Sequence, residues 1–176
     1  TIDAGKTFGT VTVPAPTDDV YKDAGKVEAT ISTATGGNFE NLVPSTVPAV
    51  TDVTDTIDTT TVKLTATESA AEGGNVTYTA TVGAPVTGSP VVVTLANGQT
   101  IPIGVGQTTG TATTTAPNDV LTGHAPITNS ITDVTGGNYE NLVADKTPVS
   151  TTVTDTTDTT NLSLTATGSV AEGGQI

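Results

Sequence analysis

The chain repeats itself at an interval of 100 residues, and this repeat constrains the fold more than any other feature. The string TGGNFENLV at 35–43 returns as TGGNYENLV at 135–143, and VTDTIDTT at 53–60 returns as VTDTTDTT at 153–160. Solenoid units usually run about 20–50 residues, so a period of this length is typical of whole domains. The sequence therefore predicts a tandem array of domains.

The repeat also predicts where one domain ends and the next begins. We interpret 56–155 as one complete domain. Residues 1–55 correspond to the C-terminal half of a preceding copy, and 156–176 correspond to the N-terminal strands of a further copy.

Composition and patterning favour strands over helices. Threonine makes up about a quarter of the chain, and there is no Trp, Met or Cys. Thr and Val suit strands because their branched Cβ fits a pleated, half-exposed surface. In TVKLTAT (61–67), Val62, Leu64 and Ala66 alternate with polar residues, as in a strand with one buried face. Further alternating segments follow at 76–82, 90–103, 109–115, 126–134 and 149–155.

Turn signals between these segments indicate the architecture. Asn97-Gly98 predicts a two-residue type I′ hairpin, in which both central residues have positive φ. Gly36-Gly37 and Gly136-Gly137 are expected to supply positive φ in strand-to-strand turns. Six or seven short strands in about 100 residues predict an all-β fold, with tandem immunoglobulin-like β-sandwich domains in an extended array. Because aromatic residues are only 3%, we expect a core of Val, Leu, Ile and Ala.

The net charge narrows the class of partner. Eighteen acidic residues stand against five basic ones, for a formal charge of −13. Such a chain is not expected to bind nucleic acid or an anionic membrane surface, whereas it suits cations. No apolar stretch approaches the length of a membrane-spanning helix, so membrane insertion of this segment is not expected.

The acidic residues are expected to meet at a junction between copies. In an immunoglobulin-like sandwich, the loop between the fifth and sixth strands lies beside the linker to the next domain, whose own last hairpin turn approaches the same point. Carboxylates about 4 Å apart repel by roughly 1–4 kcal/mol, so a cation is expected among them. The residues that this topology would bring together at the first junction are Asp18, Asp19, Asp23, Asp52, Asp55, Asp58, Asn138 and Glu140.

Calcium is the cation that this donor set favours. Ca²⁺ takes six to eight oxygens in flexible geometry, whereas Mg²⁺ requires a strict octahedron and keeps its waters. With one His and no Cys, the chain is not expected to bind a transition metal. The alternative interpretation is that these acids only form a solvated, solubilising surface.

A second junction is expected around Glu72, Asp119, Asp155 and Asp158. Its loop reads APNDVLTGHAP, so Asn118 and Gly123 replace the earlier Asp18 and Asp23, and we expect fewer ions there. His124 lies in the same loop, where we expect it to be an exposed surface residue.

Several strings occur together at fixed spacing over essentially the whole chain, among them DTTDTT, GQTTGT, APTDDVY and ATGGNFENLV. This combination resembles the immunoglobulin-like repeats of giant RTX-type adhesins, the large adhesion proteins that Gram-negative bacteria export by type I secretion. The resemblance implies a structural extender, rigidified by calcium at its domain junctions, that projects an adhesive tip for cell adhesion and biofilm formation. It implies an extracellular, cell-surface location, tethered to the outer membrane. The loop APNDVLTGHAP departs from the usual repeat, so we expect its junction to bind fewer ions than the repeat pattern implies.

The sequence also bears on three other functions, those of an enzyme, a binding module and a fibre. An enzyme is not expected, because no Ser-His-Asp set recurs in two repeats and no phosphate-binding loop precedes a helix. A glycan-binding or surface-binding module could use rows of hydroxyls such as Thr77, Thr79 and Thr81, although these are more simply polar strand formers on a solvent face. A self-associating extracellular fibre stays open as well. The expected partners are therefore neighbouring repeats of the same chain, with other adhesin chains as further candidates.

Overall fold

A computed structural model describes residues 1–176, and its regular structure consists of strands alone. The expected all-β class is confirmed, and the fold has no helix of the length and apolarity that crossing a membrane would require. The twelve strands are β1 (Gly25–Ala29), β2 (Ala49–Val53), β3 (Thr59–Ala66), β4 (Ser69–Ala71), β5 (Asn75–Thr81), β6 (Val91–Leu95), β7 (Thr100–Ile103), β8 (Thr109–Thr115), β9 (Ile127–Asn129), β10 (Ile131–Thr135), β11 (Asn141–Ala144) and β12 (Val149–Thr154).

Strands β3–β12 form two packed layers, as in a β-sandwich. One layer is a four-stranded sheet in the order β11-β3-β5-β8. The other layer contains the sheets β10-β6-β7 and β4-β12-β9. Only Ser130 separates β9 from β10, and its carbonyl accepts a hydrogen bond from the Ala96 amide at 2.9 Å. The chain therefore runs from one of these sheets into the other.

The core lies between the layers and follows the alternation of the sequence. Val62 and Leu64 of β3 and Val76, Tyr78 and Ala80 of β5 are buried, while the residues that alternate with them are exposed or half-buried. The core consists of Val, Leu, Ile and Ala as expected, apart from two tyrosines, Tyr78 and Tyr139, which are also buried. The other buried apolar residues are Val82, Val86, Val91, Val93, Leu95, Ile101, Ile103, Ala116, Ile131 and Val153.

The strand pair β1–β2 repeats the pairing of β9 with β12. Val27 lies opposite Thr51 in β1–β2, and Ile127 lies opposite Thr151 in β9–β12. Both pairs are antiparallel, and their registers coincide at the 100-residue interval of the sequence. The sequence repeat is therefore also a structural repeat.

The hairpin between β6 and β7 differs from the predicted type. No residue other than glycine has positive φ, so Asn97 cannot occupy a type I′ turn, whereas Gly98 has φ 83°. The Gly98 amide donates to the Leu95 carbonyl at 3.0 Å, and the Leu95 amide donates to the Gln99 carbonyl at 2.9 Å. These bonds define a three-residue loop, a turn followed by a left-handed glycine, because such a loop needs only one residue with positive φ.

The double-glycine turns agree with expectation. Gly136 and Gly137 have φ of 87° and 69°, and Gly36 and Gly37 have φ of 93° and 76°. A Cβ at Gly136 would also lie 2.2 Å from the Pro90 carbonyl oxygen, so this position allows no side chain.

Candidate cation sites at the two linkers

Three segments meet at the linker between β2 and β3. They are the loop that precedes β1 (16–24), the linker itself (54–58) and the β10–β11 turn (136–140). Tyr21 forms an isolated antiparallel bridge with Tyr139, and the two rings stack with their centroids 5.5 Å apart. The Lys22 amide donates to the Asn138 carbonyl at 3.1 Å. The loop, the linker and the turn, which the sequence topology placed at one junction, therefore lie together in the structure.

Carboxylates crowd this meeting point, and we call them the first cluster: Asp18, Asp19, Asp23, Asp55, Asp58 and Glu140. Asp55 accepts a hydrogen bond from the Asp23 amide at 3.1 Å, and Asp18 accepts one from the Thr56 hydroxyl. Asp19 accepts one from the Tyr21 amide at 2.7 Å, which closes the turn within the loop. The loop and the linker are thus joined through carboxylate oxygens.

Glu140 carries the third segment into the cluster. Its Oε2 accepts a hydrogen bond from the Asp58 amide at 2.5 Å, whereas its Oε1 is buried without a hydrogen-bond donor. The Asp58 amide lowers the pKa of Glu140, but burial and the nearby carboxylates of Asp55 and Asp58 outweigh it, so this pKa is raised. Oε1 therefore lies among acceptors, where a proton or a cation is needed.

Asp23 is subject to the same repulsion between carboxylates. The Asp19 carboxylate, then burial, then the carboxylates of Asp55 and Asp18 raise the pKa of Asp23. The only lysine that forms an ion pair is Lys26, and its partner is Asp52 on β2 at 3.2 Å. The structure therefore holds Asp52 in a strand-to-strand ion pair, apart from the first-junction residues with which the sequence analysis grouped it.

Asn138, a residue of the predicted first site, joins two of the segments through hydrogen bonds. The Asn138 side-chain amide donates to the Lys22 carbonyl at 3.2 Å, so its nitrogen is already used in joining the loop to the turn. The Asn138 backbone carbonyl accepts from Lys22, as described above. Asn138 therefore holds the segments together.

The second cluster lies at the C-terminal end of β12 and consists of Glu72, Asp119, His124 and Asp155. His124 Nε2 lies 2.5 Å from Glu72 Oε1 and 3.8 Å from Asp119 Oδ2. Asp155 accepts a hydrogen bond from the Gly123 amide at 2.7 Å, which is the counterpart of the Asp55 contact with Asp23. Glu72, His124 and Asp155 each offer one ligand atom, and these three atoms lie within 4.8 Å of one another.

Glu72 is the centre of this second cluster. Its side chain is fully buried, and its Oε2 accepts hydrogen bonds from the Thr156 amide at 2.8 Å and the Thr156 hydroxyl at 3.2 Å. The Thr156 amide is the main cause that lowers the pKa of Glu72; burial opposes it, and His124 adds to it. Glu72 is therefore an ionised carboxylate held inside the protein.

The expectation of an exposed His124 was wrong. Its side chain is only 15% exposed, because it packs into the loop against Glu72. Spacing alone could not reveal this contact, since 52 residues separate the partners. Asp158, which the sequence placed with this group, is exposed in the segment after β12.

The predicted threonine rows lie on the outer face of the β3-β5-β8 sheet. Thr77 Oγ1 and Thr113 Oγ1 are 3.4 Å apart, and Thr67 Oγ1 accepts the Thr77 amide at 3.0 Å. These hydroxyls contact neighbouring strands, which agrees with their role as polar strand formers.

The fold and the linker clusters define a class of protein, an all-β repeat domain with acidic contacts between copies. The family model of the LapA domain matches residues 1–56 and 58–156. The chain therefore belongs to the LapA domain family, named for a large adhesion protein of biofilm formation, and this is not a family of enzymes. No curated protein matches the chain. Family membership indicates a role in cell adhesion and biofilm formation at the cell surface.

Proposed function

We propose that this chain is part of the extender of an RTX-type biofilm adhesin, built from tandem immunoglobulin-like repeats whose junctions are rigidified by Ca²⁺. The extender projects an adhesive tip from the outer membrane after type I secretion. The observation that carries the proposal is the first cluster, where three segments bring six carboxylates together without a lysine ion pair.

The donors of the first cluster fit calcium. They are carboxylate oxygens from three separate segments, and Glu140 Oε1 is buried without a donor. Ca²⁺ accepts many carboxylate oxygens in irregular geometry, and extracellular modules bind it with Kd of about 10⁻⁴–10⁻³ M. Asp55 and Glu140 would hold the ion from the linker and the turn, with Asp18 and Asp23 supplying oxygens from the loop. Its charge would relieve the repulsion that raises the pKa of Asp23 and Glu140.

A bound ion would also stiffen the joint between the repeats. It would join the linker to both neighbouring repeats, so rotation about the linker would require loss of metal ligands. A cation that binds only the assembled junction stabilises that arrangement by mass action. The Tyr21–Tyr139 stack limits the same rotation by direct packing.

Small-angle X-ray scattering of the chain in EDTA and then in millimolar Ca²⁺ tests this proposal. We expect an extended particle with a fixed joint in Ca²⁺ and a flexible joint in EDTA. The double variant Asp55→Ala, Asp58→Ala should be flexible in both buffers. Asp52→Ala is the matched control, because Asp52 pairs with Lys26, and it should retain the response to Ca²⁺. Scattering curves that do not change with Ca²⁺ would contradict the proposal.

A further inference from the structure

The second cluster differs from the first in that it contains a nitrogen ligand. We propose that Glu72, His124 and Asp155 bind a transition-metal ion of the Zn²⁺ class. The three ligand atoms come from the β4–β5 turn, the β8–β9 loop and the segment after β12, and lie within 4.8 Å of one another. The fold thus gathers two carboxylates and one imidazole from positions far apart in sequence.

The distances suit a tetrahedral ion after small side-chain movements. Zinc lies about 2.0–2.2 Å from nitrogen and oxygen ligands, which places the ligand atoms roughly 3.3 Å apart. Glu72 Oε1 and His124 Nε2 are now 2.5 Å apart, so they must separate by about 1 Å to admit the metal in place of the hydrogen between them. Asp119 Oδ2, 3.8 Å from the same nitrogen, is close enough to become a fourth ligand.

Backbone contacts orient the two carboxylates so that each offers one oxygen. The Thr156 amide and hydroxyl hold Glu72 Oε2, which leaves Oε1 directed at His124. The Gly123 amide holds one oxygen of Asp155. Such outer contacts fix the orientation of metal ligands. Monodentate carboxylates beside an imidazole suit zinc, whereas calcium prefers six to eight oxygens.

The charge at this place calls for a cation. Glu72 is fully buried, and Asp119 and Asp155 approach the same imidazole. A buried carboxylate is stable only when it is paired or bound to a metal. The chain's only lysine ion pair lies elsewhere, at Lys26, so His124 is the one basic side chain that touches this group. A divalent ion would neutralise more of this charge than one proton on His124 can.

Successive junctions would then bind different metals. Ala24 stands at the position of His124 in the first copy, so the first cluster has only oxygen ligands. The zinc proposal rests on the proposed function only for its location at a linker, and the binding itself can be measured without it.

Because His124 is the only histidine, its ring proton signals in the NMR spectrum report on this site alone. We would titrate the 176-residue chain with Zn²⁺ in the presence of millimolar Ca²⁺. We expect these signals to shift and to saturate at one equivalent. His124→Gln should weaken Zn²⁺ binding, measured by calorimetry, by at least about 100-fold, since loss of an outer contact alone costs 10–100-fold.

Two further variants separate this proposal from the calcium proposal. Asp155→Asn should weaken Zn²⁺ binding while the His124 signals still report on a folded site. Asp55→Ala should abolish the response to Ca²⁺ and leave Zn²⁺ binding unchanged. The zinc site is overturned if one equivalent of Zn²⁺ leaves the His124 signals in place, or if His124→Gln binds Zn²⁺ as tightly as the parent chain.

Discussion

Asp145 holds the chain where it passes from one layer of the sandwich to the other. Its amide donates to the Val62 carbonyl at 2.9 Å, which extends the pairing of β11 with β3. Its Oδ1 accepts hydrogen bonds from the Thr147 hydroxyl at 2.6 Å and the Thr147 amide at 3.0 Å, which turn the chain toward β12. The preceding copy uses Ser45 in this place, where its hydroxyl accepts from the Val47 amide at 3.2 Å.

We predict that Asp145 makes the stability of the chain sensitive to acid. The Thr147 hydroxyl and amide lower its pKa below 3.8, with a smaller contribution from Lys63. The folded state therefore binds this proton more weakly than the unfolded state, so the stabilisation is present above pH 3.8 and is lost as the pH falls through the lower folded value. Thr147→Val removes the hydroxyl and should raise the pKa of Asp145, as measured by carboxyl NMR titration. An Asp145 pKa that is equal in both chains would contradict this prediction.

Individual contacts of this kind were only partly predictable. The sequence placed acidic residues in the segments that meet at both linkers, and some of them, such as Asp55 and Asp155, recur at the 100-residue interval. It could not assign Asp52 to Lys26 or His124 to Glu72, since both pairings depend on side-chain packing between separate elements. The stack of Tyr21 on Tyr139 was missed for the same reason. The only sequence signal for this stack was an aromatic residue in each of the two segments, Tyr21 in the loop and Tyr139 in the turn.

Among the elements, β7 and β8 close one edge of the sandwich. Each lies at the edge of its sheet, and they approach at Gly110, where a Cβ would lie 2.2 Å from the Pro102 carbonyl oxygen and 3.0 Å from Ile101 Cγ2. The Gln99 side chain joins the β6–β7 hairpin to the same edge, by donating to the Thr113 carbonyl at 3.1 Å. Glycine at position 110 therefore allows the two layers to meet.

We predict that Gly110→Ala lowers the free energy of unfolding by about 1–3 kcal/mol, because the added methyl group forces β7 away from β8. Gly83→Ala is the matched control, since a Cβ there meets nothing within 4 Å and its φ is not positive. Urea denaturation measures both variants, with an unchanged m value expected for each. Equal stability of Gly110→Ala and the parent chain would show that the layers do not need this close approach.

The strands themselves were the most predictable elements. Strict alternation in β3 and β5 marks one face as buried, and the structure buries that face. The β6–β7 loop was not predictable from Asn97-Gly98 alone, because the same dipeptide fits a two-residue loop or the end of a three-residue loop. Which one forms depends on the register that the Leu95–Gln99 pairing sets.

The molecule as a whole is one sandwich, β3–β12, joined by a short linker to the β1–β2 pair. The sandwich of β3–β12 has its own core, whereas the β1–β2 pair contacts it through the loop that carries Tyr21. Tyr139 belongs to the sandwich core, and its hydroxyl donates to the Ala84 carbonyl at 2.6 Å. The Tyr21 hydroxyl donates to the neighbouring Pro85 carbonyl, also at 2.6 Å. Two rings thus bind adjacent residues of one loop, which fixes the first copy against the second.

We predict that Tyr21→Ala loosens this joint and leaves the sandwich folded. The change removes an aromatic stack worth about 0.5–1.5 kcal/mol beyond the area it buries, together with one hydrogen bond between the copies. Backbone ¹⁵N relaxation should then give separate rotational correlation times for β1–β2 and for β3–β12. Phe8→Ala is the control, because Phe8 is an aromatic residue of the same copy that is 73% exposed. The comparison is made in millimolar Ca²⁺, where the parent chain is expected to have a fixed joint. A single correlation time in Tyr21→Ala would then mean that the joint does not need the ring stack.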